Sequence, residues 1–235
     1  MKNKKSYQVL SAAQLKYLAF ISMFIDHVNN GLITPLLDGR GSLLVLSNIF
    51  SILGRIAFTI FIFFIVEGYF KTKNRLKYLI RLLIFGIISE VPFDMFTSKV
   101  YYNPNWNNMI FTLALCLLTV WLVDYLKGKI TNKIIWYLLS FVIVIGMSFL
   151  AMALSLDYDY HAIVLAYIFY IFYDRLILGA ILGYLSIIKE VYSFLGFGLV
   201  TLYNGKEGNQ YRWLNYAFYP AHLLVLGLLR FYFNL

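Results

Sequence analysis

The sequence predicts an all-α, polytopic integral membrane protein, with about nine to ten transmembrane or half-membrane helices and its N-terminus inside. Three observations carry that expectation. Of 235 residues, 61% are hydrophobic and only 13% charged, with a mean hydropathy of +0.74, whereas soluble domains run nearer about 25% charged. The apolar residues gather into runs, several of them of bilayer-crossing length. The net charge of +9 sits mostly in short connections between those runs, where cations orient the chain in the bilayer; no nucleic-acid partner is implied. A single domain, 1–235, is expected, multi-pass in the cytoplasmic membrane. The one cysteine, Cys116, lies inside an apolar run, which argues for a packed, inert thiol and against a disulfide framework or thiolate cluster. The basic start and apolar core resemble a signal peptide, but Asp26 and His27 interrupt that core. No small-residue cleavage site follows, so the segment is expected to be retained.

Hydropathy marks nine segments: 15–34, 43–70, 76–96, 109–126, 133–153, 161–173, 176–188, 191–203 and 213–233. With the N-terminus inside, the inner connections hold thirteen cations: Lys2, Lys4, Lys5, Lys71, Lys73, Arg75, Lys77, Lys127, Lys129, Lys133, Arg175, Lys206 and Arg212. The outer ones hold four, Arg40, Lys99, Lys189 and Arg230. That asymmetry favours N-inside and C-outside.

The first segment is roughly 30 Å long as a helix and carries Asp26 and His27 well inside it. Ionisable groups at that depth usually face a wet or protein-lined cavity and mark a site. Lys16 precedes His27 by eleven positions, about 1100° of helix, so both lie on one face some 16 Å apart. The second segment, at about 42 Å, must tilt or extend beyond the bilayer. It places Arg55 near mid-depth, where a guanidinium needs an acid, an anion or carbonyls. Glu67, near its inner end, has Lys71 four residues on as a ready partner.

The third segment follows the basic run Lys71, Lys73, Arg75, Lys77. Pro92 is expected to kink or end it, and Glu90 to serve as counter-ion for Arg55 or His27. The Asn- and Tyr-rich stretch 97–108, with Trp106, has the composition of an interfacial belt. Segments four and five hold almost no ionisable residue and read as lipid-facing. Asp157, Asp159 and His161 read as a solvated outer loop, too local for a metal site, and no metal is expected. Three 13-residue segments follow, each about 20 Å, short for a crossing and suited to half-helices beside a cavity. The Asn204-Gly205 turn offers amides and Lys206 to a phosphate, or is a plain connector. In the last segment Pro220 suggests a break, and His222 lies roughly 13 Å from the inner end.

Asp26, His27, Arg55, Glu90 and His222 thus project to similar depths, and one polar chamber would satisfy them all. A neutral imidazole beside a carboxylate is a general base, and a buried arginine holds an oxyanion. Lys16, Lys71, Lys73, Lys77, Arg81, Asn204 and Lys206 would attract a polyanionic carrier from inside. The pattern fits transfer of an activated acyl group to an acceptor outside. A proton-coupled transporter using the same cluster is the alternative, although the two halves show no inverted repeat. A non-catalytic scaffold would leave Asp26 and His27 without a purpose.

With these residues in hand, the chain resembles the TraX family, associated with F-pilin acetylation in conjugation. The matching pieces are Ile25-Asp26-His27, Gly54-Arg55-Ile56-Ala57-Phe58 with Phe61, Glu67-Gly68 with Thr72, and Tyr78 with Arg81-Leu82. Further along come Ser89 with Pro92, Asn204-Gly205 with Gly208, and Phe218-Tyr219-Pro220-Ala221-His222-Leu223. Lys16 and His27 also reproduce the basic-x10-His spacing of a wider group of membrane acyltransferases. The resemblance implies acetyl-CoA (an acyl-CoA) as donor and His27 as the catalytic base. It also implies an extracytoplasmic acceptor such as a peptide or pilin N-terminus, or a glycan. Two departures are Thr59, where a proline is usual, and His161, where glycine is expected; the second bears on the acceptor side.

Overall fold

In a computed structural model, residues 6–37, 39, 41–188, 190–211 and 213–235 are described, and Lys2, Lys4, Lys5, Arg40, Lys189 and Arg212 lie outside them. Nine α-helices and no strand appear among the described residues. They are α1 (Ala12–Val28), α2 (Ser42–Lys71), α3 (Arg75–Ser98), α4 (Met109–Lys127), α5 (Lys133–Ala153), α6 (Asp159–Ile171), α7 (Leu176–Ser186), α8 (Phe194–Thr201) and α9 (Leu214–Phe233). Four of these, α2, α4, α5 and α9, are long and apolar enough to cross a membrane. That is fewer than the nine to ten spanning or half-spanning segments expected. Helix α3 carries Arg81, Glu90 and Asp94 within its length, and α1 gives way after 17 residues to a π-helical turn, Asn29–Ile33. Helices α6 to α8 are short, with 13, 11 and 8 residues.

Two compact units make up the chain: residues 1–61, 87–103 and 187–235, and residues 62–86 and 104–186. In the first, α1 starts from a capping box in which Ser11 Oγ accepts the Gln14 N–H and Gln14 Oε1 accepts the Ser11 N–H. Helices α1 and α9 lie alongside each other and run parallel. Lys16 Nζ donates to Gln210 just before α9, Phe20 packs on Phe218, and His27 meets His222. Ser22 Oγ donates to the Leu53 carbonyl at 2.7 Å, bringing α1 against α2. Close approach there depends on Gly54, because a Cβ at that position would fall 2.6 Å from the Asp26 Cβ. The π turn makes room in the same way, since a Cβ on Gly31 would meet the Phe96 ring.

Neither proline ends its helix. Helix α3 runs through Pro92 to Ser98, and α9 runs through Pro220 to Phe233. A proline removes one ladder N–H, and a helix held by its neighbours survives that loss, so the expected breaks are corrected to continuous helices.

In the second unit, α4, α5, α6 and α7 pack with the end of α2 and the start of α3. Asn108 caps α4 through the Ile110 N–H and donates to the Gly86 carbonyl. Asn132 caps α5 through Ile134 and Ile135. Helix α5 turns Trp136, Ser140, Val144 and Ala151 inward and leaves Ile134, Leu138, Phe141, Val142 and Phe149 exposed, as a lipid-facing helix would. Helix α4 is different: Ala114, Cys116, Leu117, Val120 and Val123 are buried, so its expected lipid-facing role is corrected to an interior one. Cys116 is a buried free thiol. Asp159 and His161 belong to the first turn of α6 instead of a loop.

Candidate functional site

The candidate site lies in the first unit, where α1 and α9 run side by side. His222 is buried, and its Nδ1 is 2.6 Å from the Phe218 carbonyl one turn earlier in α9. A carbonyl can only accept, so Nδ1 of His222 carries the hydrogen and Nε2, in the neutral ring, carries a lone pair. That Nε2 lies 2.7 Å from Nδ1 of His27, so His27 donates and is left with a bare lone pair on its own Nε2. This assignment of tautomers is the one that satisfies both hydrogen bonds with neutral rings. The rings stack nearly parallel, 9° apart with centroids 5.0 Å apart. Phe24, Phe96, Phe218 and Tyr219 surround them. An aromatic, poorly hydrated surround favours uncharged imidazoles.

Asp26 does not orient His27. Adjacent helical residues point about 100° apart, and the Asp26 carboxylate instead accepts from Asn30 Nδ2 at 2.9 Å and packs on Gly54. The orienting partner is His222, with the Phe218 carbonyl behind it. Asp26 interacts electrostatically with Arg55. Arg55 itself, half exposed, pairs through Nε with Glu190 at 3.1 Å. The expectation that Glu90 serves Arg55 or His27 is therefore corrected: Arg55 takes an acid from the segment before α8, and His27 takes another imidazole. Glu90 lies on α3.

The residues expected to hold a carrier phosphate divide between the units. In the first, Asn204 and Lys206 belong to a clamp on the start of α1. The Asn204 side chain donates to the Val9 carbonyl and accepts the Lys206 N–H, while the carbonyls of Lys206 and Glu207 accept the N–H groups of Ala12 and Ala13. With Gln14 bonded to Ser11 Oγ and Leu15 to the Ser11 carbonyl, the first four amides of α1 are all used. These bonds give the turn a structural role in holding the start of α1, the connector reading that the sequence also allowed. In the second unit, Lys71 pairs with Glu67 at 2.6 Å, as the four-residue spacing suggested. Lys73, Lys77 and Arg81 are exposed, and Arg81 Nε donates to the Lys77 carbonyl.

Sequence reasoning passed over several polar groups. Glu190 sits in a connection with no motif around it. Asp124, the single acid of α4, accepts the hydroxyls of Tyr69 at 2.5 Å and Tyr170 at 2.8 Å. Tyr173 donates to Glu67 at 2.5 Å. For Asp124 and Glu67 the signal was present, as a lone carboxylate in an apolar run, which rarely survives burial without partners; for Glu190 the sequence carried none.

A family model described as TraX protein matches residues 11–230. The chain is also similar to a protein of Dichelobacter nodosus named "Probable fimbrial assembly protein FimC, serogroup H1". The two are 28% identical over 246 residues, covering 92% of this chain and 94% of that protein. No solved structure matches. The match spans both units and includes the helices that carry His27 and His222, and on that ground the chain belongs to the TraX family.

Proposed function

We propose that this chain is a multi-pass acetyltransferase of the cytoplasmic membrane that moves an acetyl group from cytoplasmic acetyl-CoA to an extracytoplasmic amine or hydroxyl. The observation that carries the reading is the hydrogen-bond chain from the Phe218 carbonyl through His222 to His27, which leaves a lone pair on His27 Nε2. In the reaction, Nε2 of His27 removes the proton of the acceptor N–H or O–H as the heteroatom attacks the thioester carbonyl. The tetrahedral intermediate then collapses and expels the thiolate. The proton on His27 Nε2 passes to that sulfur, so the products are the acetylated acceptor and free CoA thiol. A positioned base of this kind contributes about 10²–10⁴ in rate.

His222 keeps the His27 tautomer correct by accepting from Nδ1. Lys16, on the His27 face of α1 and bonded to Gln210, would lie toward the cytoplasmic end and favour an anionic donor. The parallel course of α1 and α9 accords with an N-inside, C-outside chain, which requires an odd number of crossings between them. The acceptor is read as a pilin or fimbrial subunit N-terminus. This draws on the fimbrial assembly relative and on an amine being the better nucleophile for an unassisted neutral base.

The test is acetylation by purified protein in proteoliposomes, followed by mass spectrometry of a supplied peptide amine, together with thermal stabilisation by acetyl-CoA. Turnover that His27→Ala abolishes without unfolding the protein is expected. Stabilisation by neither acetyl-CoA nor CoA at millimolar concentration would refute the reading, because a ligand of the native state must stabilise it.

A further inference from the structure

The second unit contains a charged cluster that the proposed reaction does not use. Tyr69 and Tyr170, both buried, donate their hydroxyls to the two oxygens of Asp124, locking two aromatic rings around one carboxylate. Each ring holds a cation against it. The Arg75 guanidinium lies 4.1 Å from the centroid of Tyr69, with Nη2 3.8 Å from Asp124. The Lys127 ammonium lies 5.8 Å from the Tyr170 ring and 5.5 Å from buried Trp136, whose Nε1 donates to the Val123 carbonyl. Asp124 and Lys127 are three apart on α4 and so share a face.

Both cations are therefore held by aromatic faces, which fix position without consuming hydrogen-bond donors. Among the described residues, Arg75 has one long ion pair for its five N–H groups, and Lys127 is held by two aromatic rings. Two cations against one carboxylate leave the cluster net positive. Lys73 and Lys77 add charge from the α2–α3 connection and the first turn of α3. A stacked guanidinium with free edges is suited to bidentate capture of phosphate oxygens, and an ammonium beside it supplies a point charge.

We propose that Arg75 and Lys127 form a phosphate-binding site in this unit, built on the Tyr69–Asp124–Tyr170 lock. The shared chemistry is a phosphomonoester or diphosphate, carried either by a soluble nucleotide or by an anionic lipid headgroup. The site stands on its own geometry and does not require the acyl-transfer reading.

The experiment uses full-length protein in neutral detergent, titrated with adenosine 3′,5′-bisphosphate. In a second arm, the protein is melted in nanodiscs of phosphatidylcholine with and without phosphatidylglycerol. Arg75→Gln and Lys127→Gln should each weaken the operative ligand at least about tenfold, whereas Lys133→Gln, an equal charge change at the start of α5, should weaken it less than about twofold. Arg75→Lys keeps a charge beside Asp124 should the glutamine variant fail to fold, and it should lose affinity through the missing fork. Loss in the bisphosphate arm identifies a nucleotide ligand. Loss confined to the phosphatidylglycerol arm identifies a lipid. If Arg75 and Lys127 variants that melt like the native protein change neither arm more than Lys133→Gln, the inference fails. That result would leave acetyl transfer by His27 untouched, because it is measured separately by turnover.

Discussion

Replacing His222 with phenylalanine removes the acceptor for the His27 Nδ1–H while keeping a flat ring between Phe218, Tyr219 and Phe24. The His27 N–H, 2.7 Å from its partner in the native protein, is then stranded among aromatic rings. A buried donor left unmade costs about 1–3 kcal/mol, so the variant should lose stability in that range. The stranded ring has a way out, which is to move its hydrogen to Nε2 and so occupy the position that must accept the acceptor's proton. Because the tautomer error affects the base and not the binding of donor, kcat should fall steeply with the KM for acetyl-CoA little changed. A fall approaching the about 10²–10⁴ of a lost general base is the upper bound. His222→Gln offers an amide oxygen to His27 Nδ1–H and should recover a substantial part of the rate. Steady-state kinetics in proteoliposomes measure all three proteins. Equal loss of kcat in the phenylalanine and glutamine variants, or a change confined to KM, would refute the relay.

Other outcomes follow from the packing. Gly54→Ala would drive a methyl into Asp26, whose Cβ would be 2.6 Å away; overpacking of this kind costs about 1–3 kcal/mol, read from the melting transition in detergent. Ser11→Ala dismantles the capping box of α1 and should cost about 1 kcal/mol by the same measurement. Asp124→Asn weakens two tyrosine hydrogen bonds to a charged acceptor, each worth about 1.5–3 kcal/mol, and should destabilise more than either of the first two. Arg55 and Glu190 are each 43% exposed, so a double-mutant cycle on that pair should give a coupling within about 1 kcal/mol.

Much of the architecture was legible because hydropathy runs are one-dimensional: the helices from α2 to α9 begin and end close to the segment limits. Local rules failed where neighbours carry the load. Pro92 and Pro220 each remove one donor, and surrounding helices keep α3 and α9 continuous across them. The shared depth of His27 and His222 could be reckoned from helix rise, but their tautomers could not, because the anchor is a backbone carbonyl that no residue type announces. The pairing of Asp26 with His27 was misjudged from adjacency in sequence, which on a helix separates two side chains. Glu190 escaped notice because only the tertiary fold brings that connection to Arg55. Asp124 was overlooked because an apolar average hides one acid, and its partners Tyr69 and Tyr170 come from α2 and α6.

The proposed chemistry rests on which nitrogen of His27 holds its hydrogen, and nitrogen-15 NMR of the histidine-labelled protein reads that atom directly. The account predicts a neutral His27 with hydrogen on Nδ1 and a bare Nε2, a shift pattern that changes in His222→Phe and returns in His222→Gln. A His27 with hydrogen on Nε2, or one indifferent to His222, would contradict it.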